Sequence, residues 1–65
     1  MKIKYFQETD TLYFALSRGD VTETRDLDEN TTIDLDLEGN ICAITVEYAS
    51  VRTNISGFSF EYIAA

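Results

Sequence analysis

The sequence predicts a mainly β protein, a small antiparallel meander of four or five strands with at most one short helical segment. From Thr32 to Leu37 aliphatic and polar side chains alternate, and the alternation stops at Gly39-Asn40. This is the pattern of a strand that ends in a tight turn. Similar apolar stretches recur between short polar segments, and the chain contains no proline. Short strands separated by polar turns favour an all-β fold.

The first three strands are predicted from three different patterns. Residues 2–6 alternate in polarity, as expected for a strand with one buried face. Residues 12–16 are apolar on both faces, which favours a central strand, although a short buried helix over residues 9–17 fits the same pattern. Residues 21–27 are polar, with apolar anchors only at the two ends. Such a strand usually lies at a sheet edge, where its charges discourage pairing with other chains.

A central hairpin is predicted to pair residues 31–37 with residues 41–48. Turns rich in Asp, Asn and Thr precede it at residues 7–10 and 28–30. Alternation assigns the aliphatic side chains of its first strand to one face, which consists of Ile33, Leu35 and Leu37. The opposite face then carries the acids Asp34, Asp36 and Glu38.

The C-terminal part of the chain has a weaker pattern. Residues 51–55 fit one helical turn or an irregular connection, because Asn54 and Gly57 interrupt the pattern. Aromatic residues then alternate with polar ones, which favours a final strand whose aromatic face consists of Phe58, Phe60 and Tyr62. An amphipathic helix over residues 56–65 is the alternative.

The length of the chain limits what it can bury. Its 65 residues are expected to form one domain, residues 1–65. A domain of this size buries only about 60% of the surface that its unfolded chain exposes. Small domains usually gain stability from disulfides, metals or self-association. Since this chain has one cysteine and no histidine, we expect a homo-oligomer. The lone Cys42 lies in an apolar run and is expected to be a small buried side chain.

The chain is strongly acidic, with a formal net charge of −7. Such a charge repels phosphate and lipid headgroups, so we expect no direct binding to nucleic acid or membranes. It attracts basic surfaces, and a basic small protein is the simplest partner, although solubility alone also explains the charge. No apolar run approaches the roughly 20 residues of a membrane span, and the N-terminal residues lack a signal-peptide pattern. We therefore expect a cytoplasmic protein.

The acids of the hairpin invite two chemical interpretations. Asp34, Asp36, Glu38 and Gly39 match positions one, three, five and six of the EF-hand calcium loop. The twelfth position, which requires a bidentate glutamate, is Thr45, and the flanks are predicted strands instead of helices. Asp34 and Asp36 also resemble the paired carboxylates of a hydrolase, but one of such a pair needs burial to raise its pKa. A solvated hairpin face explains these acids better than either site.

Few other residues match an enzyme template. The absence of histidine excludes an imidazole base and a histidine metal ligand, and the serines and the cysteine have no evident activating partner. The three glycines are isolated, so there is no glycine-rich phosphate loop. We therefore predict no catalytic residue, no cofactor and no metal site.

Six short motifs follow one another along the chain. They are Lys2-Ile3-Lys4-Tyr5, Asp10-Thr11-Leu12-Tyr13, Val21-Thr22-Glu23-Thr24, Ile33-Asp34-Leu35-Asp36, Gly39-Asn40-Ile41 and Glu47-Tyr48-Ala49-Ser50. In this order they resemble a small bacterial family catalogued as domain of unknown function 2283, over about residues 1–50. The resemblance implies no activity, cofactor or catalytic residue. Some members are similar to the antitoxin half of two-gene modules, encoded beside a basic presumed toxin. This chain lacks the proline that is frequent near the first turn of the family.

These features lead us to expect a non-enzymatic interaction module that binds a basic partner protein in an antitoxin-like manner. The acids expected to attract the partner are Asp34, Asp36, Glu38, Glu23 and Asp26. The aromatic residues expected to supply contact energy are Phe58, Phe60 and Tyr62. Two alternatives stay open: a structural, self-associating oligomer with no separate ligand, and a metal-assisted hydrolase that uses Asp34 and Asp36.

Overall fold

Five strands form a single antiparallel sheet in the computed structural model, which describes residues 1–65. The strands are β1 (Lys2–Phe6), β2 (Thr11–Ala15), β3 (Glu23–Asp28), β4 (Thr31–Leu35) and β5 (Ile41–Val46). One helical turn, α1 (Ala49–Arg52), and a 3₁₀ turn (Ile55–Gly57) follow the last strand. The predicted class, mainly β and antiparallel with one short helix, is confirmed.

The strand order is β1-β2-β5-β4-β3, so the chain departs from a simple meander at one connection. After β2, residues 16–22 cross to the far edge, and the chain returns through β4 to place β5 beside β2. The polarity of the strands explains this order. The apolar β2 lies between two neighbours, while the polar β3 lies at an edge, as predicted, where its charged side chains reach water.

Strand register divides the sheet into two faces of opposite character. Ile3, Phe14, Ile44 and Ile33 are aligned across four strands and therefore point the same way. We call this side the apolar face; its members on these four strands are Ile3, Tyr5, Leu12, Phe14, Ile41, Ile44, Val46, Thr31, Ile33 and Leu35. The opposite, polar face includes Lys4, Tyr13, Thr45, Thr32 and Asp26.

The core of the protein is shallow. Its buried apolar residues are Ile33, Leu35, Cys42, Ala43 and Ala49, and no large side chain is completely covered. The prediction that Cys42 is buried is confirmed. Gly19 covers this residue closely, since a Cβ atom at Gly19 would lie 3.3 Å from the Cys42 Sγ. A larger residue at this position would therefore press on the thiol.

Two predictions about the strands are wrong. β4 ends at Leu35 instead of continuing to Leu37, whose side chain is 87% exposed. The reason is a register shift after Asp34, which leaves Cys42 of β5 without a partner on β4 and brings the chain into a turn. Residues 58–65 form neither the predicted strand nor the alternative helix. Just before them, residues 53–58 lie over the apolar face beside β1 and β2 instead of along a free sheet edge, so the chain is not in position to add a strand there.

Candidate protein-interaction site

The five acids predicted to attract a partner are distributed over the edge strand β3, its neighbour β4 and the β4–β5 turn. Glu23 and Asp26 belong to the edge strand β3, and Asp34 lies on the neighbouring strand β4, paired with Thr24. The turn that joins β4 to β5 then carries Asp36 and Glu38. We call these five residues the acidic corner. Register places Asp26 opposite Thr32 on the polar face, towards the far end of β3. Glu23, Asp36 and Glu38, up to 15 positions apart in the sequence, instead line one groove.

Within the acidic corner, Asp36 is engaged in its own turn. Its carboxylate accepts hydrogen bonds from the backbone N–H groups of Asn40 at 2.8 Å and Glu38 at 2.9 Å, and from the Asn40 amide at 3.2 Å. The Asn40 backbone bond is the main cause that lowers the pKa of Asp36 below its ordinary value. Gly39 adopts a φ of 85°, which allows the chain to reverse there. Asp36 therefore shapes the turn more than it presents a free charge.

Two further acids of the corner have partners on β3. The Thr24 hydroxyl donates a hydrogen bond of 2.7 Å to Asp34, and the Arg25 guanidinium lies 2.6 Å from Glu23. The hydrogen bond from Arg25 lowers the pKa of Glu23. In contrast, the carboxylates of Asp26 and Glu38 make no hydrogen bond or ion pair within the chain, and both residues are exposed. These two acids are the ones left free for a partner.

Apolar side chains adjoin these charges. An open groove at the corner is lined by Ile33, Leu35, Leu37 and Ile41 together with Glu23, Asp36 and Glu38. Leu37 is almost fully exposed because it lies beyond the end of β4. A basic protein at this groove would bury the exposed aliphatic side chains and pair with the carboxylates.

Of the three predicted aromatic residues, Phe58 lies apart from the groove at the acidic corner. Phe58 lines a second, apolar groove with Ile3 and Phe14, near the edge formed by β1, whereas the corner belongs to the opposite edge. Phe60 and Tyr62 follow in the C-terminal segment, and all three are largely exposed. The structure therefore does not combine Phe58 with the predicted acids in one groove.

One polar cluster was missed by the sequence reasoning. Asp10 accepts hydrogen bonds from the Tyr5 hydroxyl at 2.6 Å, the Ser50 backbone N–H at 2.9 Å and the Ser50 hydroxyl at 2.8 Å. Asp10 also has a φ of 52°, in the left-handed region that aspartate tolerates better than most residues. The Tyr5 bond is the largest cause of a lowered pKa for Asp10, and the same bond raises the pKa of Tyr5.

A second group of bonds attaches α1 to the turn between β3 and β4. The Arg52 guanidinium donates to the Thr31 hydroxyl at 2.7 Å and the Asn30 carbonyl at 3.3 Å, and it lies 3.5 Å from Asp28. The backbone bond from Asn30 is the main cause of a lowered pKa for Asp28. The turn at residues 28–30 was predicted from the sequence, but the arginine partner of Asp28, 24 residues away, was not.

The geometry gives no support to the two chemical interpretations of the hairpin acids. Asp34 lies on a strand and bonds to Thr24, whereas Asp36 lies in the turn and bonds to its own backbone. No group of three or more acidic, cysteine or histidine side chains is placed so that it could hold a metal ion. The helical segments are too short to cross a membrane.

A single antiparallel sheet with one apolar face defines a small, mainly β protein. The chain matches the model of a protein family of unknown function, DUF2283, over residues 2–50, and it belongs to this family. The family predicted from the six motifs is thereby confirmed. No curated protein and no solved structure matches the chain.

Proposed function

We propose that this protein is a non-enzymatic interaction module whose acidic corner binds a basic partner protein. The observation that carries the proposal is the groove at the corner, in which exposed aliphatic side chains lie beside carboxylates. An antitoxin-like role fits this chemistry, because an acidic surface would mask the basic, nucleic-acid-binding surface of a toxin. The partner would be met in the cytoplasm.

The residues of the corner would contribute in different ways. Asp26 and Glu38 are unpaired and would supply attraction at long range, so they should mainly affect the rate of association. Leu37 and Ile41 would supply contact area, so they should mainly affect dissociation. Asp36 would hold the turn in the shape that the partner recognises.

The test is affinity capture of the tagged protein from its native cells, with a variant of the corner beside a matched control. The corner variant carries Asp26→Asn and Glu38→Gln, and the control carries Glu8→Gln and Glu29→Gln, which remove the same charge from turns elsewhere. We expect the wild type and the control to recover one stoichiometric basic protein, and the corner variant to lose it.

The second part of the test measures the rate of association with the purified partner. Removing the two charges should slow association by about threefold to tenfold at low salt and reduce its salt dependence. The control variant should associate almost as fast as the wild type. Recovery of the same proteins by all three forms, or an unchanged association rate, would contradict a role for the acidic corner.

A further inference from the structure

The strand β1 has an unpaired edge, because it is first in the strand order and pairs only with β2. The backbone N–H of Leu16 donates to the Cys42 carbonyl on β5, so alternate residues of β2, counted from Leu16, direct their backbone groups to β5. The intervening residues of β2 face β1, and their partners there are Lys2, Lys4 and Phe6. The backbone groups of Ile3 and Tyr5 therefore point away from the sheet, where another strand would bind them.

This edge also carries free positive charge. Lys2 and Lys4 are exposed on its polar face and form no ion pair within the chain. The structure contains two ion pairs, and these involve Arg25 and Arg52 instead. In a molecule with a formal net charge of −7, the β1 edge thus favours a strand that brings a carboxylate opposite a lysine.

The C-terminal segment, residues 58–63, has the pattern of a strand but no strand partner in its own chain. Phe58 already has an extended backbone, with φ −65° and ψ 136°. The aromatic side chains that follow are uncovered, since Phe60 is 67% and Tyr62 is 87% exposed. Glu61 lies between them and makes no ion pair within the chain. The segment therefore offers the alternating side chains and the carboxylate that the β1 edge lacks.

One antiparallel register satisfies the segment and the edge together. It sets Glu61 opposite Lys4 on the polar face, so that unlike charges meet. The neighbouring pairs are then Phe60 with Tyr5 and Tyr62 with Ile3. These pairs extend the apolar face, and they fall where the backbone groups of β1 are free to exchange hydrogen bonds. A shift of one residue would move the aromatic side chains to the polar face, so the side-chain pattern specifies the register.

We propose that two copies of this chain form a homodimer by exchanging residues 58–63, each segment adding a sixth strand to the β1 edge of the other copy. Exchange of an identical element is a low-cost route to a dimer, and an added strand gains main-chain hydrogen bonds. Phe58 lines a groove with Ile3, so each segment begins beside the edge at which the copies meet. The edge strand β3 lies at the opposite side of the sheet. The exchange therefore goes beyond the proposed partner binding and does not depend on it.

The experiment reverses the charges of the proposed pair. Lys4→Glu and Glu61→Lys each place like charges opposite one another, while Arg18→Glu changes the net charge as Lys4→Glu does, at another exposed position. Analytical ultracentrifugation of the full chain between about 1 and about 100 µM, in about 50 mM NaCl, measures the mass of each form. We expect the wild type and Arg18→Glu to approach twice the 7.4 kDa of one chain. Each variant of the pair should raise the dimer dissociation constant about tenfold, because the dimer contains the pair twice.

An equimolar mixture of the Lys4→Glu and Glu61→Lys variants distinguishes exchange from pairing within one chain. In the mixed dimer both exchanged contacts join unlike charges, so the mixture should recover the dissociation constant of the wild type. Amide hydrogen exchange of the wild type gives a second measurement. Exchange at the backbone N–H groups of Ile3 and Tyr5 should slow at least about tenfold between the monomeric and the dimeric concentration.

Circular dichroism checks that each variant is folded, and should a variant unfold, the hydrogen-exchange measurement on the wild type decides. A wild type that stays at 7.4 kDa would overturn the proposal. So would a Lys4→Glu dimer as tight as that of Arg18→Glu, or a mixture that associates no better than its components. These assays contain no partner protein, so a failure here leaves the acidic-corner proposal untouched.

Discussion

An aspartate accepts several hydrogen bonds at each end of the sheet, but the two aspartates bind partners at very different distances in the sequence. At one end, which we call the tethered end, Asp10 binds Ser50, 40 residues away, and Arg52 binds Thr31, 21 residues away. At the other, the hairpin end, Asp36 binds backbone groups no more than four residues away. Both aspartates accept several hydrogen bonds, but only the bonds at the tethered end connect distant parts of the chain.

This difference predicts different consequences for stability. A bond that closes a long loop is lost only when the chain loses its overall order, whereas a turn can also form in the unfolded chain. The tethered end should therefore contribute more to the free energy of unfolding than the hairpin end. Three predictions test this comparison, and the one with the largest expected effect comes first.

Acidification weakens both ends together. The pKa values of Asp10, Asp28 and Asp36 lie below the ordinary 3.8, and that of Glu23 lies below 4.5. The folded protein therefore binds fewer protons than the unfolded chain at low pH, so this stabilisation is present above these ordinary values and is lost as pH falls through the lowered ones. We expect Tm to fall below about pH 4 in about 0.5 M NaCl, which screens the general repulsion. Calorimetry from pH 7 to pH 2 measures this, and a Tm that does not fall would contradict it.

Asp10→Ala removes the hydrogen bonds of Asp10 with Tyr5 and Ser50, which we call the Asp10 tether. We expect Tm to fall by about 5–10 °C, because three hydrogen bonds are lost and alanine tolerates the left-handed backbone poorly. Asp10→Asn, which accepts that backbone and keeps an oxygen acceptor, should lose less. Glu8→Ala, in the same turn and without side-chain bonds, is the control and should change Tm little. Thermal unfolding followed by circular dichroism gives the three values. Equal effects of Asp10→Ala and Glu8→Ala would show that the tether contributes nothing.

Asp36→Ala should have the smallest effect, a decrease in Tm of about 2–4 °C, since its bonds are local and solvent competes for them. Its control is Glu38→Ala in the same turn, whose side chain makes no bond within the chain. The same thermal measurement compares both ends directly. A larger loss for Asp36→Ala than for Asp10→Ala would reverse the comparison.

The same distinction between local and distant contacts explains what the sequence could predict. Alternation and turn residues are local, so the five strands, the edge position of β3 and the burial of Cys42 followed from them. The premature end of β4 depends on a register shift against β5, which no local pattern reveals. The Asp10 tether likewise depends on where Ser50 arrives in the folded chain.

The residues of the candidate site include some that local patterns predicted correctly and some whose surroundings they did not predict. Alternation identified the acids of the hairpin, but it placed Asp36 on a strand face, whereas it bonds within a turn. The aromatic alternation of residues 58–62 predicted a strand, yet a strand needs a free partner edge, and residues 53–58 bring the chain onto the apolar face instead. The sequence pattern thus predicts which residues lie at the surface better than it predicts which residues they contact.

Because Gly19 packs over Cys42, the reactivity of the Cys42 thiol can report local opening of the structure. Because Cys42 is the sole thiol and lies beneath the connection between β2 and β3, a thiol reagent can reach it only when this region opens. The rate of alkylation therefore reports how often the hairpin end opens, without any added label. Comparing that rate in the presence and absence of a bound protein would reveal whether binding stiffens this end of the sheet.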